Sequence, residues 1–224
     1  MIDVACRHDR VFRFDPARAA LLVIDMQRDF LDLGGYCASV GDVSGLRAVM
    51  PNVKAVTAAA RDHGLHVIHT REGYLPDLSD MHAMKRERKS AASPGPLGRF
   101  LIRGEPGQDF MPEFMPRPGE PVFDKPGFSA FHRTTLDEHL RGRAITHLVV
   151  TGITTQCCVH STLRAAVDLG YWCLTLEDCC AALEARWHDA AVELIASENH
   201  LFGWVSSADR FIAALDGQGR RIAV

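Results

Sequence analysis

The sequence has no CxxC pair, no apolar run approaching the ~20 residues needed to span a bilayer, and no strong charge of either sign. Each absence removes a class of protein. Without CxxC, a zinc ribbon or a thioredoxin-type redox site is poorly supported. With 25 basic and 28 acidic residues the net charge is −3, which argues against a nucleic-acid partner or an anionic membrane surface. The stretch Met1-Ile2-Asp3-Val4-Ala5-Cys6-Arg7-His8-Asp9 lacks the apolar segment of a signal peptide, so the expected compartment is the cytoplasm. No GxGxxG follows the first apolar run, which weakens a nucleotide-binding or redox-module reading. Internal repeats and low-complexity segments are also missing.

What is present fits a single domain. The 224 residues are 47% hydrophobic and 24% charged. A chain of this size buries roughly 70–75% of its extended surface, so its core needs no metal or disulfide staple. Seven cysteines include two adjacent pairs, Cys157-Cys158 and Cys179-Cys180. Neighbouring Cα atoms lie ~3.8 Å apart, below the usual disulfide range of roughly 4.4–6.8 Å, so reduced thiols are expected.

Ala20-Leu21-Leu22-Val23-Ile24-Asp25 is a continuous apolar run ending in an acid, the pattern of a strand covered on both faces. Further strands are expected at 65–70, 122–124, 147–151, 171–176 and 202–205. Between them, helical spacing appears at 46–61, 134–140, 159–170 and 187–197. Strands alternating with helices predict an α/β protein. The expected form is a Rossmann-like three-layer α/β/α sandwich on a mainly parallel, about six-stranded sheet. The segment 74–121 breaks the alternation and carries most of the prolines with the basic run Lys85-Arg86-Glu87-Arg88-Lys89. It reads as a long insertion, a lid or a subunit contact, although the basic run alone also suits a solvated helix face.

In such sheets ligands bind beyond the carboxyl ends of the strands. Asp25, Lys125 and the Gly152–Cys158 turn all fall there. A cysteine in the first turn of a helix meets free N–H groups and a positive dipole, which stabilise a thiolate and an oxyanion formed from its attack. A buried structural cysteine remains the alternative, and it covers the other five cysteines. A nucleophilic thiol needs a base or a cationic partner, for which Lys125 and Asp25 are the candidates. An acid ending a buried strand must be solvated or paired, or else cap a helix.

Leu22 to Phe30, Lys125-Pro126-Gly127-Phe128-Ser129-Ala130-Phe131, and Gly152 through Thr162 followed by Arg164 resemble the three signature segments of the isochorismatase-like cysteine hydrolases. The likeness spans residues 18–206. It implies a catalytic triad of Cys158, Asp25 and Lys125, with Cys157 as a packing neighbour. It also implies a cis peptide between Ile153 and Thr154, aiming the N–H groups of Thr154 and Cys158 into an oxyanion hole. By the same resemblance the thiolate attacks an amide or ureide carbonyl, ammonia or an amine leaves, and water hydrolyses the thioester.

Nicotinamidases in that family carry a metal-binding Asp-x-His with a further His, whereas this chain reads His69-Thr70-Arg71-Glu72-Gly73-Tyr74 there. His66 and His69, three apart on a strand, face opposite sides and make poor joint ligands, so no metal is expected, and the mechanism implied by the resemblance needs no cofactor. The stretches 68–73, 76–78, 85–86, 103–107, 124–127 and 176–180 are similar to the biuret and triuret hydrolase branch. That likeness implies a small linear ureide as substrate, with Phe30, Tyr36, Arg71, Phe128, Ile153 and Glu198 at the pocket. An N-carbamoyl amino-acid or ureidoacrylate amidohydrolase is the alternative, with Arg71 or Arg103 meeting the substrate carboxylate. The family resemblance further implies a homodimer or homotetramer.

Overall fold

In a computed structural model describing residues 1–88 and 91–219, the chain begins with alternating burial: Ile2 and Val4, then Phe12 and Phe14, point inward. They lie on an antiparallel hairpin of β1 (Ile2–Ala5) and β2 (Val11–Phe14). The apolar run is β3 (Ala19–Ile24), and all six of its residues are buried. The helices α1 (Arg28–Leu31), α2 (Tyr36–Val40), α3 (Ser44–Ala48) and α4 (Met50–Asp62) lead to β4 (His66–Glu72). Next come α5 (Ala83–Glu87), the short β5 (Pro94–Gly95) and β6 (Gly98–Arg99), and β7 (Val122–Lys125). The chain continues through α6 (Leu136–Gly142), β8 (His147–Ile153), α7 (His160–Asp168), β9 (Trp172–Ala181), α8 (Ala185–His200), β10 (Trp204–Ser206) and α9 (Ala208–Gly219). Lys89 of the basic run and residues 220–224 lie outside the described residues.

Six strands form one parallel sheet in the order β10-β9-β8-β3-β4-β7. One core layer holds Val53, Val56 and Ala60 of α4, Phe211 and Leu215 of α9, and the inward faces of the hairpin. The other holds Leu136 and Leu140 of α6, Leu163 and Ala166 of α7, and Val192 and Ile195 of α8. Each large side chain removed from water contributes about 1.5–3 kcal/mol. The three-layer α/β/α sandwich is thus present, with two differences of detail. The helix expected over 46–61 is broken at Val49, because Pro51 at the start of α4 has no N–H to offer Arg47. The hairpin β1–β2 was not among the expected strands. No helix among the described residues is long and apolar enough to cross a membrane.

From β3 the chain moves outward to β4 and β7, then returns past β3 to β8, so the two halves of the sheet diverge between β3 and β8. That switch point opens a crevice at the carboxyl ends. The segment 74–121 folds over it. Tyr74 N–H donates to Leu101 O (2.8 Å), Met111 N–H to Met26 O (2.9 Å), and Leu101 N–H to the Asp29 carboxylate (2.7 Å). Tyr74, Leu101, Ile102, Phe110 and Phe114 are buried beneath this cover.

Candidate active site

Four strand ends deliver the site. Asp25 follows β3 with a left-handed backbone, φ 52°, a conformation that Asp tolerates better than most side chains. Its carboxylate is fully buried, accepts from Thr70 Oγ1 at 2.7 Å, and lies 2.7 Å from Lys125 Nζ. It caps no helix. Lys125 ends β7, is equally buried, and donates to Gly127 O at 3.0 Å. Burial pushes the Asp25 pKa up against the pull of Lys125. Burial works against the Lys125 ammonium too, but Asp25, Cys158 and Glu72 outweigh it and hold the lysine charged.

Gly152, near the end of β8, has φ 117°, and a Cβ there would sit 2.0 Å from Ile24 O. Only glycine lets β8 approach β3 this closely. The Ile153–Thr154 peptide is cis. A wide π-helical turn over Thr155–Val159 then precedes α7, and Thr155 Oγ1 meets His188 Nδ1 of α8 at 2.8 Å. Cys158 sits in this turn, buried, with its thiol donating to Glu72 Oε2 at 3.3 Å. One oxygen each of Asp25 and Glu72 and the Cys158 sulfur lie within 4.8 Å of one another. The adjacent Cys157 sulfur and burial hold the Cys158 thiol well above its ordinary range, with Lys125 pulling the other way. All seven cysteines are free.

Glu72 is the group that sequence reasoning passed over. It ends β4 and is buried. Its Oε1 accepts from Tyr74 OH at 3.1 Å and from the ammonium of buried Lys85, which α5 brings from the insertion. Gln27 clamps its backbone, accepting from Glu72 N–H at 2.7 Å and donating to Glu72 O at 2.9 Å. Burial opposes the carboxylate, yet Lys125 and Lys85 prevail and keep its pKa low. The strand expected over 65–70 runs on to Glu72 in the structure, so Glu72, like Asp25, is an acid at the end of a largely buried strand. Its sequence lacks the unbroken apolar run that marks Asp25.

Asp25, Glu72 and Cys158 also form a conceivable donor set for a metal. Lys125 Nζ, 2.7 Å from Asp25 and 3.8 Å from Glu72, already supplies the positive charge between the two carboxylates. A second cation there would meet repulsion at short range, so these residues do not fit a divalent ion.

A cavity of about 350 Å³ opens over Cys158, and Phe30, Tyr36, Phe128 and Thr154 line it together with Glu72 and Lys85. The other three pocket candidates fall elsewhere. Arg71 points to the opposite face of β4 from Thr70 and Glu72, where Asp124 takes it at 2.8 Å and Asp109 at 3.5 Å. Glu198 is exposed where α8 breaks, in a left-handed conformation with φ 48°. Ile153 is fully buried behind the turn and is not part of the lining. Arg103 is likewise committed, 3.3 Å from Asp80. His66 and His69 are separated as their spacing predicts, one against His139 and the other against Glu120.

The isochorismatase domain model matches residues 19–210. The chain belongs to the isochorismatase family. It is 37% identical over 205 residues to the ureidoacrylate amidohydrolase RutB of Variovorax paradoxus (strain S110), covering 87% of this chain and 80% of that relative. Among solved structures it is similar to a cysteine hydrolase from Pseudomonas syringae pv. phaseolicola 1448A, with TM-score 0.81 and 25% identity over 92% of this chain and 96% of the other. The N-carbamoylsarcosine amidase of Thermoplasma acidophilum shares the fold at TM-score 0.68 and 23% identity, covering 86% and 97% of the two chains. This isochorismatase-family chain is a hydrolase of the amidohydrolase kind, acting on carbon–nitrogen bonds other than peptide bonds.

Proposed function

We propose that Cys158, Asp25 and Lys125 form a catalytic triad that hydrolyses a small linear ureide, of the biuret or triuret kind, through a thioester. The observation that carries this reading is the buried Asp25–Lys125 pair set beside a buried thiol at converging strand ends. Asp25, with its pKa raised, is suited to take the thiol proton and return it. The sulfur attacks the carbonyl carbon while the N–H groups of Thr154 and Cys158 hold the oxyanion. The carbon–nitrogen bond breaks, Asp25 gives its proton to the nitrogen, and ammonia leaves. Water then adds to the thioester with Asp25 again accepting a proton, the carbon–sulfur bond breaks, and the thiol is restored.

Charge balance supports an uncharged substrate. Two carboxylates, Asp25 and Glu72, face two ammonium groups, Lys125 and Lys85, so the ring of groups around the thiol sums to zero. A carboxylate placed beside the sulfur would disturb that balance. A second reading, a carboxylated ureide, draws support from one further residue and from the ureidoacrylate amidohydrolase relative. Exposed Arg88 lines the same cavity and has no acidic partner among the described residues.

Ammonia release from equal concentrations of biuret, triuret, ureidoacrylate, N-carbamoylsarcosine and nicotinamide, with a chelator present, separates the two. Fast release from one uncharged linear ureide is the expected result. Release confined to a carboxylated ureide, with KM raised about tenfold in Arg88→Ala, would establish the second reading. Silence across the panel would refute both.

A further inference from the structure

The two oxygens of the Glu72 carboxylate lead different lives. Oε1 is occupied by Tyr74 OH and by the Lys85 ammonium. Oε2 has Lys125 Nζ at 3.8 Å, beyond hydrogen-bond reach, and accepts one hydrogen bond, from the Cys158 thiol. That donor is the very group that must lose its proton for the reaction to start. When the thiolate forms, Oε2 becomes a buried carboxylate oxygen facing a sulfur with nothing to donate. A buried charged acceptor left in that state costs about 1–3 kcal/mol or more. Something arriving with the substrate must therefore donate to it.

We infer that Glu72 is the residue that binds the substrate nitrogen: its Oε2 accepts an N–H from the amide under attack as the Cys158 proton departs. The inference rests on the ureide hydrolase reading and deepens it. A ureide nitrogen carries N–H groups and donates them, and an ionised acceptor makes such a hydrogen bond about twice as strong as a neutral one. Glu72 is built to wait in place. Gln27 fixes its backbone on both sides, and Gln27 Nε2 also donates to Gln108 O at 2.8 Å, tying strand, first helix and insertion together. Lys85, stacked 4.1 Å from the centre of the Phe128 ring and 5.0 Å from that of Tyr74, anchors the far oxygen. The carboxylate lines the cavity above Cys158.

The electrostatics divide the two acids accordingly. Asp25 has its pKa pushed up and can carry a proton, whereas Glu72 is held low and remains an anion throughout. The substrates selected are amides and ureides with at least one free N–H on the attacked carbonyl. N,N-dialkyl amides offer Oε2 no donor.

The test compares wild type with Glu72→Gln. For whichever of biuret or triuret the wild type hydrolyses, KM should rise at least tenfold in the variant. Modification of Cys158 by methyl methanethiosulfonate, a small reagent without N–H, should be as fast or faster, because an anion beside the sulfur is gone. A merely structural role would slow both. An unchanged KM with a lowered kcat would overturn the inference while leaving the ureide reading intact. If Glu72→Gln does not fold, inhibition of the wild type decides. The ureide N,N-dimethylated at both terminal nitrogens should bind at least tenfold more weakly than the unmethylated one, and equal binding would overturn the proposal. A wild type that hydrolyses no ureide would remove the parent reading and this one with it.

Discussion

Cys157-Cys158 and Cys179-Cys180 are the same dipeptide at the ends of neighbouring strands, and Cys180 pairs in register with Gly152, six residues before Cys158. Their surroundings separate them. Cys179 and Cys180 alternate across β9, one thiol in each core layer. Burial pushes both thiols up, Cys180 to about 12, and the charged neighbours acting on them, Asp178 and Glu177, are acids. Cys157 and Cys158 lie beyond their strand in a wide turn that opens onto a cavity, and both feel the positive charge of Lys125. Both pairs are free thiols near the same end of the sheet. A cation and a cavity make the difference, so reactivity here is a property of place rather than of residue type.

The largest effect that probes this comparison is Cys158→Ser. Turnover should fall about 10⁴-fold or more, as when a nucleophile is removed from a catalytic unit. Steady-state ammonia release measures it, and retention of a tenth of the activity would break the comparison. Lys125→Met should come next. It leaves two carboxylates without their central charge, so stability should drop by about 3–5 kcal/mol in denaturant unfolding and turnover by roughly 100-fold. Thiol modification at Cys158 should slow, while Cys179 and Cys180 stay protected as before. In wild type the acid limb of the activity profile should follow Asp25, the proposed base. A base must be ionised to act, and burial raises the Asp25 pKa, so activity should be lost as pH falls at values above the ordinary carboxylate range. A limb at or below that range would assign the base to another group.

The six sheet strands were legible in the sequence, and Asp25 and Lys125 stood out at the ends of apolar or strand-like runs. Such breaks in burial patterning are local and need no knowledge of the fold. The choice of Cys158 over Cys157 rested instead on the family resemblance. Lys85 was not legible, since its partner Glu72 is thirteen residues away and only the path of the insertion brings them together. Arg71 illustrates the converse. A strand alternates its faces, and with Thr70 bonded to Asp25 the residues facing the site had to be 70 and 72. The period of two holds the answer, but the choice of face depends on tertiary contacts. The N-terminal hairpin carried a clear alternation at Ile2, Val4, Phe12 and Phe14, yet its connection, Arg7–Asp9, lacks the Asn-Gly or Asp-Gly signal that marks tight hairpins.

The smallest effects sharpen the contrast within and between the pairs. Cys157 lines the cavity and is less buried than Cys158, but the hydrogen bond to the Glu72 carboxylate comes from the Cys158 thiol. Cys157→Ser should therefore keep turnover within about threefold, since it leaves the sulfur that attacks and its two acids in place. Cys180→Ala should do less still to catalysis. The missing sulfur leaves a small void in a layer shared with Val192 and Ile195, at a cost of about 1 kcal/mol. In a chain of this length that lowers Tm by about 2–4 °C. Kinetics and melting of the same sample read the two consequences independently. A melting shift with unchanged kcat and KM marks Cys180 as packing alone. A change in kcat without a melting shift would mean that the Gly152–Cys180 register transmits to the turn carrying Cys158, and the two pairs would then have to be treated as one unit.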